Sequence, residues 1–156
     1  MKLKATYITS LTFWPFVLLF TLLSFLASLI PWCFFALAHL NFNDTSDPSV
    51  KHYGIFRIVI EGIIIAPIIE TFLFQKIFFD FFDGKIKIRF IILISALCFG
   101  LSHFYNLGYI INTFFMGVIL ATAYTIWSDK KISPFWTVVT IHLLHNLIVF
   151  LIQIST

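Results

Sequence analysis

Four residues have the types and spacing to do chemistry together: Glu70, His103, His142 and Asn146. A carboxylate beside an imidazole in a partly dry site can activate water as a general base. A second imidazole and an amide can donate hydrogen bonds to the oxyanion that develops on an attacked carbonyl. Together these describe amide hydrolysis without a covalent intermediate. Glu70, His103 and His142 are equally the kind of set that holds Zn²⁺ with an open water position, so residue types alone leave both schemes standing. Ser102 adjoins His103, but neighbours on a helix point in different directions, and a serine–histidine dyad is not expected.

Glu70 gives the set its weight. It lies in the stretch Ala66-Pro67-Ile68-Ile69-Glu70-Thr71-Phe72-Leu73-Phe74-Gln75, within an apolar run long enough to cross a bilayer. A charge at the centre of a membrane helix costs at least about 2.5–3.5 kcal/mol, so such a residue is a functional-site hypothesis by default.

The chain that must position these residues is 60% hydrophobic and 11% charged over 156 residues, with a mean hydropathy of +1.01. A soluble domain is close to half apolar and about a quarter charged. The composition therefore specifies an integral membrane protein. The net charge of +3 comes from short basic clusters between apolar runs, which are topology signals rather than a nucleic-acid face. Cys33 and Cys98 lie in different apolar runs and read as packed thiols without a disulfide framework. Lys2 and Lys4 precede an apolar run, and Ala36-Leu37-Ala38 resembles a cleavage site. The run from Leu11 is much longer than the roughly 7–15 residues of a signal sequence, so it is expected to be a retained span.

The pattern predicts an all-α, polytopic membrane helix bundle of about five transmembrane helices, forming a single membrane domain over residues 1–156. The first span lies within Leu11–Leu40, kinked or ended by Pro31. A polar loop, Asn41–Gly54, follows. The other spans are roughly Gly62–Phe82, Phe90–Phe104, Tyr109–Trp127 and Pro134–Ile154, with a tight turn at Asn106-Leu107-Gly108. Lys2, Lys4, Lys76, Lys85, Lys87, Arg89, Lys130 and Lys131 fall on one side, and only Lys51 and Arg57 on the other. The positive-inside rule then places the N-terminus in the cytoplasm and the C-terminus outside. Trp14, Trp32, Trp127 and Trp136 fall near span ends, as an aromatic belt requires. Asn43-Asp44-Thr45 on the outer loop is a glycosylation sequon, meaningful only in a eukaryotic host.

Depth brings the four residues together. Glu70 lies roughly 18 Å, His103 roughly 20 Å, and His142 and Asn146 roughly 12 and 18 Å from the cytoplasmic ends of their spans, at about 1.5 Å per residue. Phe99 and His103 are spaced i, i+4, as are His142 and Asn146, so each pair shares a helix face. Pro67 cannot donate to the carbonyl of Ile63 and is expected to kink its span just before Glu70. Thr71, Gln75 and Asn112 read first as interhelical hydrogen-bond donors and acceptors, and Gly117 with Ala121 as a small-residue packing face. Arg57 and Glu61 are expected to pair at the interface, and His145 to be a satisfied buried histidine.

The order of Glu70 in a Pro-x-x-Glu context, Phe99-Gly100-Leu101-Ser102-His103, and His142-Leu143-Leu144-His145-Asn146 resembles the CPBP family. These are the CAAX-protease and bacteriocin-processing intramembrane proteases, also called Abi proteins. The family pattern is Glu-Glu-x-x-x-Arg on one helix, Phe-x-x-x-His on a second and His-x-x-x-Asn on a third. The resemblance covers about residues 60–150 as a protease core, preceded by one N-terminal span.

The resemblance implies that Glu70 and His103 position and activate water, that His142 and Asn146 stabilise the oxyanion, and that Phe99, Thr71 and Gln75 occupy supporting positions. Thr71 and Gln75 stand where the family has its second Glu and its Arg. The loss is paired, so no charge is orphaned in lipid, where an unpaired one would cost about 3–5 kcal/mol. The family is commonly labelled metalloprotease, with a glutamate-dependent, metal-free mechanism as the rival account. The expectation here is that no cofactor is required, the alternative being Zn²⁺ on Glu70, His103 and His142. The implied activity is an intramembrane endopeptidase of the bacterial plasma membrane. It would cut a peptide or membrane-protein substrate that enters from the bilayer or its cytoplasmic side, in CAAX-like processing, bacteriocin processing or self-immunity. A catalytically silent immunity or scaffold protein of the same family is the alternative. A haem or ion carrier using His103 and His142 is a more distant one.

Overall fold

The computed structural model describes residues 8–37 and 54–155, except for the side chains of Trp32 and residues 34–37. Lys2, Lys4, His39, Lys51, His52 and the Asn43-Asp44-Thr45 sequon lie outside the described residues. Within them the chain is an all-α membrane bundle of five helices. After a 3₁₀ turn at Ile8–Ser10 come α1 (Phe13–Leu37), α2 (Ile55–Phe82), α3 (Ile88–Ser102), α4 (Leu107–Trp127) and α5 (Pro134–Ser155). Four are long and apolar enough to span a bilayer, and α3 is a shorter apolar helix.

Leucines at positions 18, 22, 26 and 29 of α1 stay exposed on one face, a surface that suits acyl chains rather than water. The opposite face of α1 enters the core. Phe16, Val17 and Phe20 are buried there with Leu120 and Trp127 of α4 and Val138 and Ile141 of α5. Trp127 is thus a core residue whose ring lies 4.4 Å from that of Phe16, not a member of an interfacial belt. Trp14 and Trp136 remain exposed.

Pro31 neither ends α1 nor limits it, because the helix runs on to Leu37. Helix α2 begins at Ile55, earlier than expected, and its first turns carry the Arg57–Glu61 ion pair at 2.8 Å. Lys76 and Asp80 pair in the same i, i+4 manner at 2.7 Å. Between these pairs α2 changes register twice. It is π-helical over Ile58–Ile65 and Thr71–Lys76, with an α-helical turn, Ala66–Glu70, in between. Such π segments are uncommon and concentrate at functional sites.

Close approach of α3 and α4 is enforced by glycine. A Cβ on Gly100 would lie 2.9 Å from Phe114 Cβ and 3.0 Å from the Ile110 carbonyl. One on Gly117 would lie 3.0 Å from the Phe99 ring and 3.1 Å from Ala96 Cα. Asn106 is the N-cap of α4, accepting a hydrogen bond from the Tyr109 N–H at 2.7 Å, so the expected turn at Leu107-Gly108 is already helix. The tightly packed core fills the half of the bundle at the start of α1 and the end of α4. The other half is hollow.

Candidate active site

The hollow half is a cavity of about 580 Å³ whose walls include Glu70, His103, His142, Asn146 and His145. Glu70 is held at the last position of the α turn between the two π segments. Its carboxylate stands between two imidazoles: Oε1 is 3.7 Å from His103 Nε2, and Oε2 is 3.5 Å from His142 Nε2. These separations exceed direct hydrogen-bond length, so the carboxylate is flanked by the rings and not locked to them. The acid and two histidines expected from depth to meet are brought together from three helices.

His103 is not on α3 but at its C-cap, with φ −99° and ψ 50°. Departure from the helix turns its ring back so that Nδ1–H donates to the Phe99 carbonyl at 2.8 Å. That bond assigns the Nδ1 proton and presents Nε2 to Glu70. It also corrects the helical argument about Ser102. The Ser102 hydroxyl lies 3.1 Å from His103 Nδ1, yet donates its proton to the same Phe99 carbonyl at 2.7 Å. The two side chains share an acceptor and form no nucleophile–base pair. The Phe99 ring lies against both imidazoles, 4.8 Å from His103 and 5.8 Å from His142, and is itself fully buried.

His142 is nearly inaccessible, and its Nδ1 has no hydrogen-bond partner among the described residues. A buried orphan N–H is rarer than an under-used acceptor. The favoured tautomer therefore leaves Nδ1 bare and puts the proton on Nε2, facing Glu70 and the cavity. Asn146 Nδ2 donates to the Gly62 carbonyl at 2.9 Å, which uses one of the amide's two hydrogens and leaves the other for the cavity.

Pro67 explains why that carbonyl is available. At the end of the first π segment the Ala66 N–H donates to the Glu61 carbonyl, an i−5 bond. The next bond in that register would join residue 67 to Gly62, and proline has no N–H to give. A side chain from α5, Asn146, takes that Gly62 carbonyl.

His145 is satisfied, as expected, but by a helix that sequence reasoning left outside the site. The Ser24 hydroxyl donates to the Thr21 carbonyl at 2.6 Å and so accepts from His145 Nδ1–H at 2.7 Å. Phe25 stacks on the ring at 4.4 Å. Phe25 and Ser28 of α1 line the cavity, with Tyr109 and Asn112 of α4. The run Thr21, Ser24, Ser28 on one face of an otherwise apolar span is the signal that could have turned that face inward.

Thr71 and Gln75 do not reach the cavity. Both are fully buried, and Thr71 Oγ1 and both polar atoms of Gln75 lack hydrogen-bond partners among the described residues, so they are not interhelical glue. Asn112 Oδ1 is likewise without a partner among them. Gly117 and Ala121 are the packing residues anticipated.

A family model described as Type II CAAX prenyl endopeptidase Rce1-like matches residues 52–148, more than half of the chain. The chain belongs to the Rce1-like family. No curated protein and no solved structure matches it. The match spans α2, α3 and α4 and most of α5, so all four candidate residues fall inside it and α1 falls outside. An Rce1-like chain is a CAAX-type intramembrane endopeptidase in general terms, consistent with the CPBP resemblance.

A metal centre in such a chain would need three converging donors and an open position. Among the described residues no three His, Cys, Asp or Glu side chains form a group that could hold a metal ion. No step below passes through a metal.

Proposed function

We propose that this Rce1-like chain is a glutamate-dependent intramembrane endopeptidase that needs no cofactor. The observation that carries the reading is the placement of Glu70 within 3.5–3.7 Å of His103 and His142 in the wall of a cavity. Water held between Glu70 and His103 Nε2 gives a proton to that pair as its oxygen bonds to the substrate carbonyl carbon. The carbonyl π electrons move onto oxygen, where His142 Nε2–H and the second hydrogen of Asn146 Nδ2 receive the charge. The C–N bond then breaks, and the proton held by Glu70 and His103 passes to the departing amine. The substrate is a peptide or membrane-protein segment, and the setting is CAAX-like trimming or bacteriocin processing and self-immunity in a bacterial plasma membrane.

Purified protein carrying Glu70→Gln or His103→Ala is expected to lose cleavage of a susceptible peptide while keeping its helical content. Full activity in both variants would end the proposal. A catalytically silent immunity or scaffold role is favoured by one observation: Thr71 and Gln75, at the family's charged positions, are buried without hydrogen-bond partners among the described residues. In that case a protective phenotype would survive Glu70→Gln.

A further inference from the structure

Ser24 satisfies one ring nitrogen of His145 and leaves the other. The Ser24 hydroxyl hydrogen is committed to the Thr21 carbonyl at 2.6 Å. The hydroxyl can therefore only accept from His145, 2.7 Å away, and the imidazole hydrogen sits on Nδ1. The opposite nitrogen, Nε2, is then an acceptor. Among the described residues it has no hydrogen-bond partner. Nor is it one of the fully enclosed polar atoms, although His145 is only 6% exposed. The ring belongs to the cavity wall, so the space that Nε2 meets is the cavity. Phe25 stacks on the ring with the two planes 20° apart, which fixes how it stands in that wall.

The water-activating scheme makes no use of this lone pair. Other acceptors in the wall are engaged or out of reach. Glu70 is the base, Glu61 pairs with Arg57, and Asn112 Oδ1 is fully enclosed. A shielded acceptor needs a donor from water or from a ligand, and position identifies that donor. His145 lies three residues after His142 and directly before Asn146. Residues three apart on a helix are surface neighbours. The α5 wall thus sets one acceptor beside two donors, His142 Nε2–H and the second hydrogen of Asn146 Nδ2. An extended peptide residue turns its own N–H and C=O to the same side, which is how paired antiparallel strands exchange both bonds between two residues. A residue whose carbonyl enters the donor pair therefore brings its N–H toward the acceptor.

We infer that His145 is a substrate-binding residue, with Nε2 accepting the backbone N–H of the residue that carries the scissile carbonyl. Ser24 is the positioning residue that keeps Nε2 an acceptor. Resting on the hydrolase reading above, this makes the substrate a peptide held in extended form and read along its main chain. The family pattern His-x-x-x-Asn leaves the position of His145 open, and Ser24 and Phe25 lie outside the matched residues 52–148.

Two measurements on the full chain in detergent micelles test this. The first is the imidazole tautomer, read from nitrogen chemical shifts of protein labelled with ¹⁵N-histidine. The His145 signals are those lost in His145→Phe, or in His145→Gln should the first variant fail to accumulate. A hydrogen on Nδ1 and a bare Nε2 are expected in the unsubstituted chain and in Ser24→Thr, and loss of that preference in Ser24→Ala. A hydrogen on Nε2 of the unsubstituted chain overturns the inference. The second is binding of a fluorescent farnesylated peptide ending in a CAAX sequence to the Glu70→Gln protein, which should hold it uncut. Analogues replace one backbone N–H at a time by an ester oxygen. The analogue lacking the N–H of the residue before the cut bond should bind about 5–10-fold more weakly. In Glu70→Gln with His145→Phe, that analogue and the parent peptide should bind alike. An equal ester effect in both proteins, no sensitive position, or no binding of the peptide overturns the inference. Peptide that binds in this way and is never cut by the unsubstituted chain removes the hydrolase reading and leaves the His145 contact standing. Cutting without an ester effect that depends on His145 does the reverse.

Discussion

Replacing Pro67 should damage the chemistry through a residue on another helix. In the i−5 register that ends the first π segment, residue 67 is the donor that Gly62 would receive, and Asn146 Nδ2 occupies that place at 2.9 Å. Pro67→Ala restores a backbone N–H and lets α2 satisfy its own carbonyl, releasing Asn146. Loss of one oxyanion donor typically lowers kcat by about 10²–10³. Pro67→Ala leaves the amide present but unanchored, and a misplacement of about 1 Å can cost about 100-fold, so kcat is expected to fall by about 10–100-fold with KM little changed.

Stability separates this mechanism from general disruption. Asn146→Ala alone strands the Gly62 carbonyl, which should cost about 1–3 kcal/mol. In the Pro67→Ala background the same change strands nothing, and most of that cost should vanish. The assay is a double-mutant cycle, following helix loss by circular dichroism in a denaturing-detergent titration alongside cleavage of a susceptible peptide. Additivity of the two substitutions within about 0.5 kcal/mol would refute the link between Pro67, Gly62 and Asn146.

Three further outcomes follow from the packing and the donor set. Gln75→Met, which removes a fully buried amide without partners among the described residues, should stabilise the protein by about 1–3 kcal/mol in the same titration. If Gln75 is instead a necessary polar contact, the variant will be destabilised. Gly100→Ala places a Cβ 2.9 Å from Phe114 Cβ and 3.0 Å from a backbone carbonyl, so α3 and α4 must separate. A loss of about 1–3 kcal/mol should accompany reduced cleavage, because His103 caps the same helix. Exhaustive chelation, checked by elemental analysis of the protein, should leave peptide cleavage unchanged, and loss restored by added Zn²⁺ would contradict the metal-free scheme.

Hydropathy and charge made the membrane bundle legible because a bilayer demands runs of about 20 apolar residues, and all five helices follow those runs. Depth along each run was enough to bring Glu70, His103 and His142 together. What the sequence concealed was local backbone register. Pro67 is easily seen, but whether its effect is a kink or a shifted hydrogen-bond series depends on the π segments around it. The same limit hid the exit of His103 from α3, and with it the proximity of Ser102. Helix periodicity assumes that 3.6 residues make a turn, and it fails where functional segments depart from that value. Trp127 was misread for another reason. Proximity to a span end does not distinguish an interfacial ring from one that Phe13 and Phe16 enclose.

Helix α1 holds two offices at once. Phe16, Val17 and Phe20 anchor one half of it in the core, while in the other half Ser24 and Phe25 hold His145 and Phe25 and Ser28 face the cavity. It does so from outside the residues matched to the family. The four candidate residues and the wall that α1 supplies therefore sit on separate stretches of chain, so a substitution at Phe25 or Ser28 changes what lies beside the candidate residues without touching any of them.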